Sequence, residues 1–232
     1  MSRTDGGIPV WAVVPAAGQG KRFGDGPPKQ YSRLAGRALI EHTLATLLAE
    51  PRVAGVVVAL ADDDAHWQQL DVAADSRVRT VTGGAERHLS VLRALAVVPG
   101  AGDPWVAVHD AARPCLAAAD LARLLDALGE SGDGCILATP ATDTLKQVNE
   151  TGQIMHTLDR IGVWQAQTPQ VFRRGQLLAA LQASETEGAG PTDEAAAMER
   201  AGACVQVIAA RALNPKITTR MDLQLAEALL QQ

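Results

Sequence analysis

Apolar positions along the 232-residue chain follow two alternating periods. Short runs rich in Val, Ile, Ala and Leu at 10–15, 55–60, 78–82, 105–109, 135–139 and 205–209 have the length and composition of strands. Between them lie Ala- and Leu-rich stretches with helical spacing, at 39–50, 64–70, 86–97, 119–129, 175–183, 193–202 and 220–230. In 119–129 the period is explicit: Leu121, Leu124, Leu125 and Leu128 fall on one face, and Gly129 supplies the stop. Thr192 is placed to cap the helix that opens at Asp193, with acid in its first turn. Strand and helix in alternation predict a doubly wound α/β fold, a mostly parallel twisted sheet covered on both faces, as a single domain over 1–232.

One segment breaks this rhythm. From 141 to 168 there is no helical period, yet the segment is long for a plain loop. Residues 144–148, the turn-forming Asn149-Glu150-Thr151-Gly152 and residues 154–158 read as a β-hairpin, and Ile161, Val163 and Trp164 add apolar surface beside it. A lone hairpin is marginally stable in water, so this arm is expected to pack on a second copy of the chain; the alternative is that it folds back over its own sheet.

Composition narrows the class. At 47% hydrophobic and 20% charged the chain is too apolar for disorder, and no stretch reaches the run of about 18 to 20 apolar residues that a bilayer span needs. A net charge of −5, from 21 Lys+Arg against 26 Asp+Glu, argues against a general nucleic-acid footprint, while leaving room for local basic clusters that hold a small polyanion. Cys115, Cys135 and Cys204 are three and far apart, with no CxxC, so buried reduced thiols are expected rather than disulfides or a zinc site. The apolar run from Ile8 is interrupted by Pro9 and Pro15 and is followed, rather than preceded, by Lys21 and Arg22. It reads as a first strand, not a signal peptide, and a cytoplasmic location is expected.

Chemistry concentrates where strands end. Pro15-Ala16-Ala17-Gly18-Gln19-Gly20-Lys21-Arg22 leaves the first strand, and Pro28-Lys29-Gln30 follows. Ala16, Ala17, Gly18 and Gly20 carry little side chain, so backbone N–H groups are free to approach a phosphate while Lys21, Arg22 and Lys29 surround it with charge. Phe23 stands where a dinucleotide-binding GxGxxG needs glycine, and no Gly-Lys-Ser/Thr is present. A second loop, Gly83-Gly84-Ala85-Glu86-Arg87-His88-Leu89-Ser90, opens a helix after the third strand, with Arg87 and Ser90 as donors. The fourth strand ends in His109-Asp110-Ala111-Ala112-Arg113. Asp110 is placed to hold Mg²⁺ against phosphate oxygens, Arg113 to pair with a phosphate or with Asp110, and His109, lacking a nucleophile beside it, reads as structural. Asp62-Asp63-Asp64 reads as a solvated helix cap. Lys216 lies in the loop Asn214-Pro215-Lys216-Ile217-Thr218-Thr219 before the last helix.

Taken in order, these strings resemble the 2-C-methyl-D-erythritol 4-phosphate cytidylyltransferases, with Pro28-Lys29-Gln30-Tyr31, Asp143-Thr144, Asp159-Arg160, Gln167-Thr168-Pro169-Gln170 and Thr192-Asp193-Glu194 completing the set. The resemblance runs from residue 10 to about 225. It implies a Rossmann-like nucleotidyltransferase fold and the transfer of a cytidylyl group from CTP to methylerythritol phosphate with release of pyrophosphate. It implies that Arg22 and Lys29 stabilise the transition state on the CTP side, and that Ala16, Ala17, Gly18, Gly84, Ser90 and Asp110 hold the nucleotide. Arg160 and Lys216, with Asp110, Arg113, Thr144 and Thr192, would position the acceptor, with Mg²⁺ near Asp110. It implies a homodimer in which the 141–168 arm crosses a twofold axis, so that each site borrows Arg160. Ala85 departs from the family, which often has an acid after the glycine pair. Three competing readings are a different sugar-phosphate nucleotidyltransferase, a silent nucleotide-binding regulator on the same fold, and a nicotinamide oxidoreductase. The missing GxGxxG argues against the last.

Overall fold

The structure is a computed structural model that describes residues 8–18, 20, 23, 26–100, 102–130, 132–186, 188 and 190–231. Its strands are β1 (Val10–Pro15), β2 (Arg33–Leu34), β3 (Arg37–Ala38), β4 (Val53–Leu60), β5 (Val78–Thr82), β6 (Trp105–Val108), β7 (Gly134–Pro140), β8 (Lys146–Val148), β9 (Ile154–Thr157), β10 (Trp164–Arg173) and β11 (Val205–Ala209). The helices are α1 (Leu39–Ala49), α2 (Arg87–Val97), α3 (Ala118–Asp126), α4 (Arg174–Thr186), α5 (Glu194–Arg200) and α6 (Arg220–Leu230).

Seven strands form one sheet in the order β11-β7-β10-β6-β1-β4-β5. Side chains alternate between its two faces, and both faces are covered. In β1, Val10, Ala12 and Val14 join the core under α1 and α3, whereas Val13 joins the core under α2, α4 and α5. The four leucines predicted to share a face of the third helix are buried on the first of these cores. A smaller cluster, with Leu34, Leu39, Ala112, Ile217 and Ala226, fastens α6 and the 214–219 loop to the body.

β1 pairs in parallel with both β4 and β6. The chain therefore runs outward from β1 through β4 and β5 and then returns to the other side of β1, which opens a crevice at the carboxyl ends of β1 and β6.

Three expectations about secondary structure are corrected. The helix expected over 64–70 is replaced by two single 3₁₀ turns, Trp67–Gln69 and Asp71–Ala74. So short a segment gains too few helical hydrogen bonds to offset nucleation. The Asp64 carboxylate instead caps the N–H groups of His66 and Trp67, both at 3.0 Å. The 3₁₀ turn so formed buries Trp67. No strand was expected at β10, which is central and antiparallel to both β6 and β7. Pro169 argues against a central strand, but the register shifts between Ala166 and Gln170, so the proline sits in the irregularity and removes no ladder bond. Residues 164–168 of the expected arm thus open this strand. Finally, the cap of α5 is Asp193, whose side chain accepts from Ala196 N–H at 2.9 Å, rather than Thr192.

The hairpin itself is present. β8 and β9 pair in antiparallel through the 149–153 turn, where Asn149 Oδ1 accepts from the N–H groups of Thr151 and Gln153. Every residue of both strands is exposed, and Ile154, Met155 and Ile161 are at least 63% exposed. Cys115 and Cys135 are buried thiols as expected, whereas Cys204 is exposed. Among the described residues no helix is long and apolar enough to cross a membrane.

Candidate active site

The loops that leave β1, β5 and β6 meet at the crevice because glycine lets them. A Cβ on Gly83 would come within 2.5 Å of the Ala17 Cβ and 2.8 Å of the Ser90 Oγ, so only a bare backbone allows the first two loops to touch. Gly83 N–H donates to Leu60 C=O at 2.7 Å, and Gly84 N–H donates to the Ser90 hydroxyl at 3.0 Å, fixing the turn into α2. The turn at Lys29–Tyr31 braces the first loop from the other side, with Gln30 Nε2 donating to Ala16 C=O at 2.7 Å. Lys29 Nζ donates to Ile217 C=O at 2.6 Å, across to the last loop.

Two cavities of about 170 Å³ each lie side by side here. The first is lined by Ala16, Ala17, Gly18, Lys29, Gly84, Ala85 and Ser90, among others. The second is lined by Arg113, Gln167, Thr168, Gln170, Thr192 and Asp193. Arg87, Asp110 and Lys216 line both and form the wall between them.

That wall is a dense charge cluster. Asp110 Oδ1 accepts from Arg87 Nε at 2.8 Å, while Oδ2 lies 2.9 Å from Lys216 Nζ and 3.6 Å from Arg113 Nε. Arg87 turns its two terminal nitrogens to Glu194, at 2.6 and 3.0 Å. Burial alone would raise the Asp110 pKa, but the charges of Arg87 and Lys216 outweigh it and hold the carboxyl well below the usual carboxylate range. Burial lowers the pKa of Arg113, opposed by Asp110. For Arg87, burial is outweighed by Glu194 and Asp110, which raise its pKa, so it stays charged.

His109 is the structural residue it was expected to be. Burial lowers its pKa to about 4, so the ring is neutral at physiological pH. Thr168 Oγ1 accepts from Asp110 N–H at 3.0 Å, so its own proton goes to His109 Nδ1 at 2.9 Å, and His109 Nε2–H then donates to Arg113 C=O at 3.2 Å. The ring ties the backbones of Asp110 and Arg113 together. Arg113 donates to Asn214 C=O at 2.7 Å and Asn214 to Thr168 C=O at 3.0 Å, which docks the Lys216 loop on the same frame.

The structure therefore brings together Ala16, Ala17, Gly18, Lys29, Gly84, Ser90, Asp110, Arg113, Thr192 and Lys216. It does not bring Arg160 or Thr144 to either cavity within the chain: both are exposed on the arm, where Arg160 donates to Thr142 C=O. Arg22 and Lys21 lie outside the described residues. Sequence reading missed the pairing of Arg87 with Glu194. It also missed Gln170, which is buried, donates to Asp193 at 2.8 Å and accepts from Ala195 N–H at 2.8 Å, pinning α5 beside the second cavity. The available signal was that these residues sit inside strings already singled out for other members.

A sequence profile of the 2-C-methyl-D-erythritol 4-phosphate cytidylyltransferases matches residues 10–232. The chain belongs to this family. A cytidylyltransferase of that name from Aeromonas hydrophila is 50% identical over 221 residues, covering 95% of this chain and 89% of the relative. Another, from Pseudomonas aeruginosa, is 50% identical over 216 residues and 92% of each chain. The crystal structure of the Francisella tularensis 2-C-methyl-D-erythritol 4-phosphate cytidylyltransferase matches with a TM-score of 0.83 at 34% identity, over 95% of this chain and 99% of that one. The Thermus thermophilus cytidylyltransferase matches at 0.79 and 31% identity, over 97% and 100%.

Proposed function

We propose that the chain transfers the cytidylyl group of CTP to 2-C-methyl-D-erythritol 4-phosphate, releasing pyrophosphate and giving 4-diphosphocytidyl-2-C-methyl-D-erythritol for isoprenoid precursor synthesis. Beyond family membership, the observation that carries this reading is the pair of adjoining cavities sharing Arg87, Asp110 and Lys216. A two-substrate transfer between anions needs such a junction. An oxygen of the acceptor phosphate attacks the α-phosphorus in line; the new P–O bond forms as the α–β bridging bond breaks, and the electron pair leaves with pyrophosphate. Lys29 faces the first cavity and Lys216 faces both, where preorganised positive charge offsets the repulsion of the reactants and the charge on the crowded phosphorus. Arg22 joins them by family resemblance. Arg113 and Thr192 face the acceptor side.

For a magnesium ion, Asp110 is the carboxylate shared by both cavities, and among the described residues no group of three His, Cys, Asp or Glu side chains gathers to hold a metal. One carboxylate suits Mg²⁺ arriving with nucleotide phosphates, which supply the rest of its shell along with water. Bound there, it would neutralise charge on phosphate oxygens. The arm, with its exposed apolar side chains and Arg160, supports a homodimer in which each arm completes the partner's acceptor side. Cysteines that form no disulfide among the described residues and small-molecule substrates suit the cytoplasm, with no membrane or nucleic acid as partner.

Pyrophosphate release tests the reading, measured with each nucleoside triphosphate, with and without methylerythritol phosphate and Mg²⁺. Release is expected with CTP only when acceptor and metal are both present. CTP binding without release would turn the reading into that of a regulator, and release with another acceptor would assign a different sugar-phosphate transferase.

A further inference from the structure

Of the two described cations that face the second cavity together with Arg87, Lys216 is set by Oδ2 of Asp110 at 2.9 Å, whereas Arg113 is held by Asn214 C=O and lies 3.6 Å from that oxygen. What holds that carboxylate in orientation is its other oxygen, which accepts from Arg87 Nε. A guanidinium free to rotate would orient nothing. Here both terminal nitrogens are gripped fork to fork by Glu194, which fixes the plane of the guanidinium and leaves Nε aimed at Asp110. Glu194 is 0% exposed and lines neither cavity. It stands in the first turn of α5, so the arrangement links α5, the start of α2 and the end of β6 in one chain of charges.

We propose that Glu194 is a positioning residue for the phosphorylated acceptor: through Arg87 it fixes the Asp110 carboxylate and so places Lys216 for the acceptor phosphate without touching it. This rests on the cytidylyltransferase reading above. Stability alone does not call for such a pair, because a buried ion pair can often be replaced by apolar side chains of similar volume at no loss. Loss of Glu194 would leave Arg87 with two unmatched N–H edges at the junction of two anion-binding cavities. The guanidinium would then turn toward a bound phosphate, and Asp110 would lose the contact that orients it. Arg87, Asp110 and Lys216 also line the first cavity, but its rim is fastened by other bonds, from Gly83 to Leu60, Gly84 to Ser90 and Gln30 to Ala16, so nucleotide binding should change less than acceptor binding.

The test is steady-state kinetics with both substrates varied, alongside thermal unfolding. Glu194→Gln keeps the shape but removes the charge and one acceptor. Its KM for methylerythritol phosphate should rise by up to about 10²-fold, the scale of a misplaced positioning group, while its KM for CTP moves less than about threefold. Equal changes in both KM values, or none, overturn the proposal. The double variant R87M/E194L removes both charges and decides the matter even where the single variant fails to fold. A regained melting temperature with the acceptor KM still raised supports positioning; an acceptor KM restored to the wild-type value shows that the pair only balances its own charge, and overturns it. The wild type is measured first: no turnover of CTP with methylerythritol phosphate would defeat the functional reading itself, and this inference with it.

Discussion

The two sides of the crevice are built differently. On the proposed nucleotide side the described residues all come from one chain: backbone-lined loops locked by glycine contacts, a Lys29–Ile217 bond and buried support from Gln30 and Ser90. The acceptor side has a rigid floor in Asp110, Arg113 and Thr168, but two of its expected members, Arg160 and Thr144, stand exposed on a hairpin away from it. A phosphate chain can be held by amides fixed in a single fold, because the donors come from the turns that the sheet itself creates. A branched polyol phosphate calls for side chains from several directions, and an arm that cannot bury its own apolar surface is a means to bring one from a second copy.

The contrast can be broken from either side. The largest effect is expected from Lys29→Ala, which should lower kcat by roughly 10²- to 10³-fold, the loss typical of one preorganised charge donor. A change confined to KM would assign Lys29 to ground-state binding alone. Arg160→Ala should lower kcat/KM for the acceptor by about 10²-fold and leave the KM for CTP near its wild-type value. Mixing the two variants sharpens the point. If the arm crosses between copies, random reassortment puts an intact Lys29 and an intact Arg160 in one of the two sites of half the dimers, and activity should recover to about one quarter of the wild type. No recovery after subunit exchange would place Arg160 on its own chain's site.

A smaller effect is expected from Gly84→Ala, whose Cβ would meet the Leu89 Cβ at 2.3 Å. Overpacking there should cost about 1 to 3 kcal/mol of stability, and the KM for CTP should rise while that for the acceptor holds. Raised KM for both would mean that the two sides are less separate than the bonding suggests.

The smallest is Asp222→Ala in the α6 capping box. Asp222 accepts from Thr218 and Thr219 N–H at 2.8 and 2.7 Å and so steadies the loop that carries Lys216. Loss of a cap of this kind costs about 1 kcal/mol. Hydrogen bonds from Thr218 and Thr219 hold the Asp222 carboxyl at about 2, below its ordinary value of 3.8. Its contribution is therefore complete above 3.8 and fades as pH falls toward 2, so melting curves of wild type and variant should converge in that window.

Much of this was legible from local pattern. The unbroken apolar run at 10–14 identifies a strand buried on both faces, and the leucines at 121–128 identify the inner face of α3 and the turn after it, because burial imposes its pattern on neighbouring residues. Gly83 and Gly84 could be picked out because close backbone approach excludes side chains. Strand β10 was not legible. Its proline reads locally as a breaker, and only the register shift between Ala166 and Gln170 makes the residue harmless. The 64–70 segment misled in the opposite sense, since its composition is helical but Asp64 offers the backbone a better partner.

By itself, then, the sequence determined most of the strand–helix alternation, the covered sheet, the phosphate-sized loops and the family, since each depends on short-range period or on an ordered set of motifs. The tertiary structure decided who meets whom: Lys29 with Ile217 across 188 residues, Arg87 with Glu194 across 107, and the exposure of Arg160. Those pairings follow from strand order and crossover geometry, which bring distant loops to one edge of the sheet. No local spacing records the charge that awaits a side chain once it arrives there.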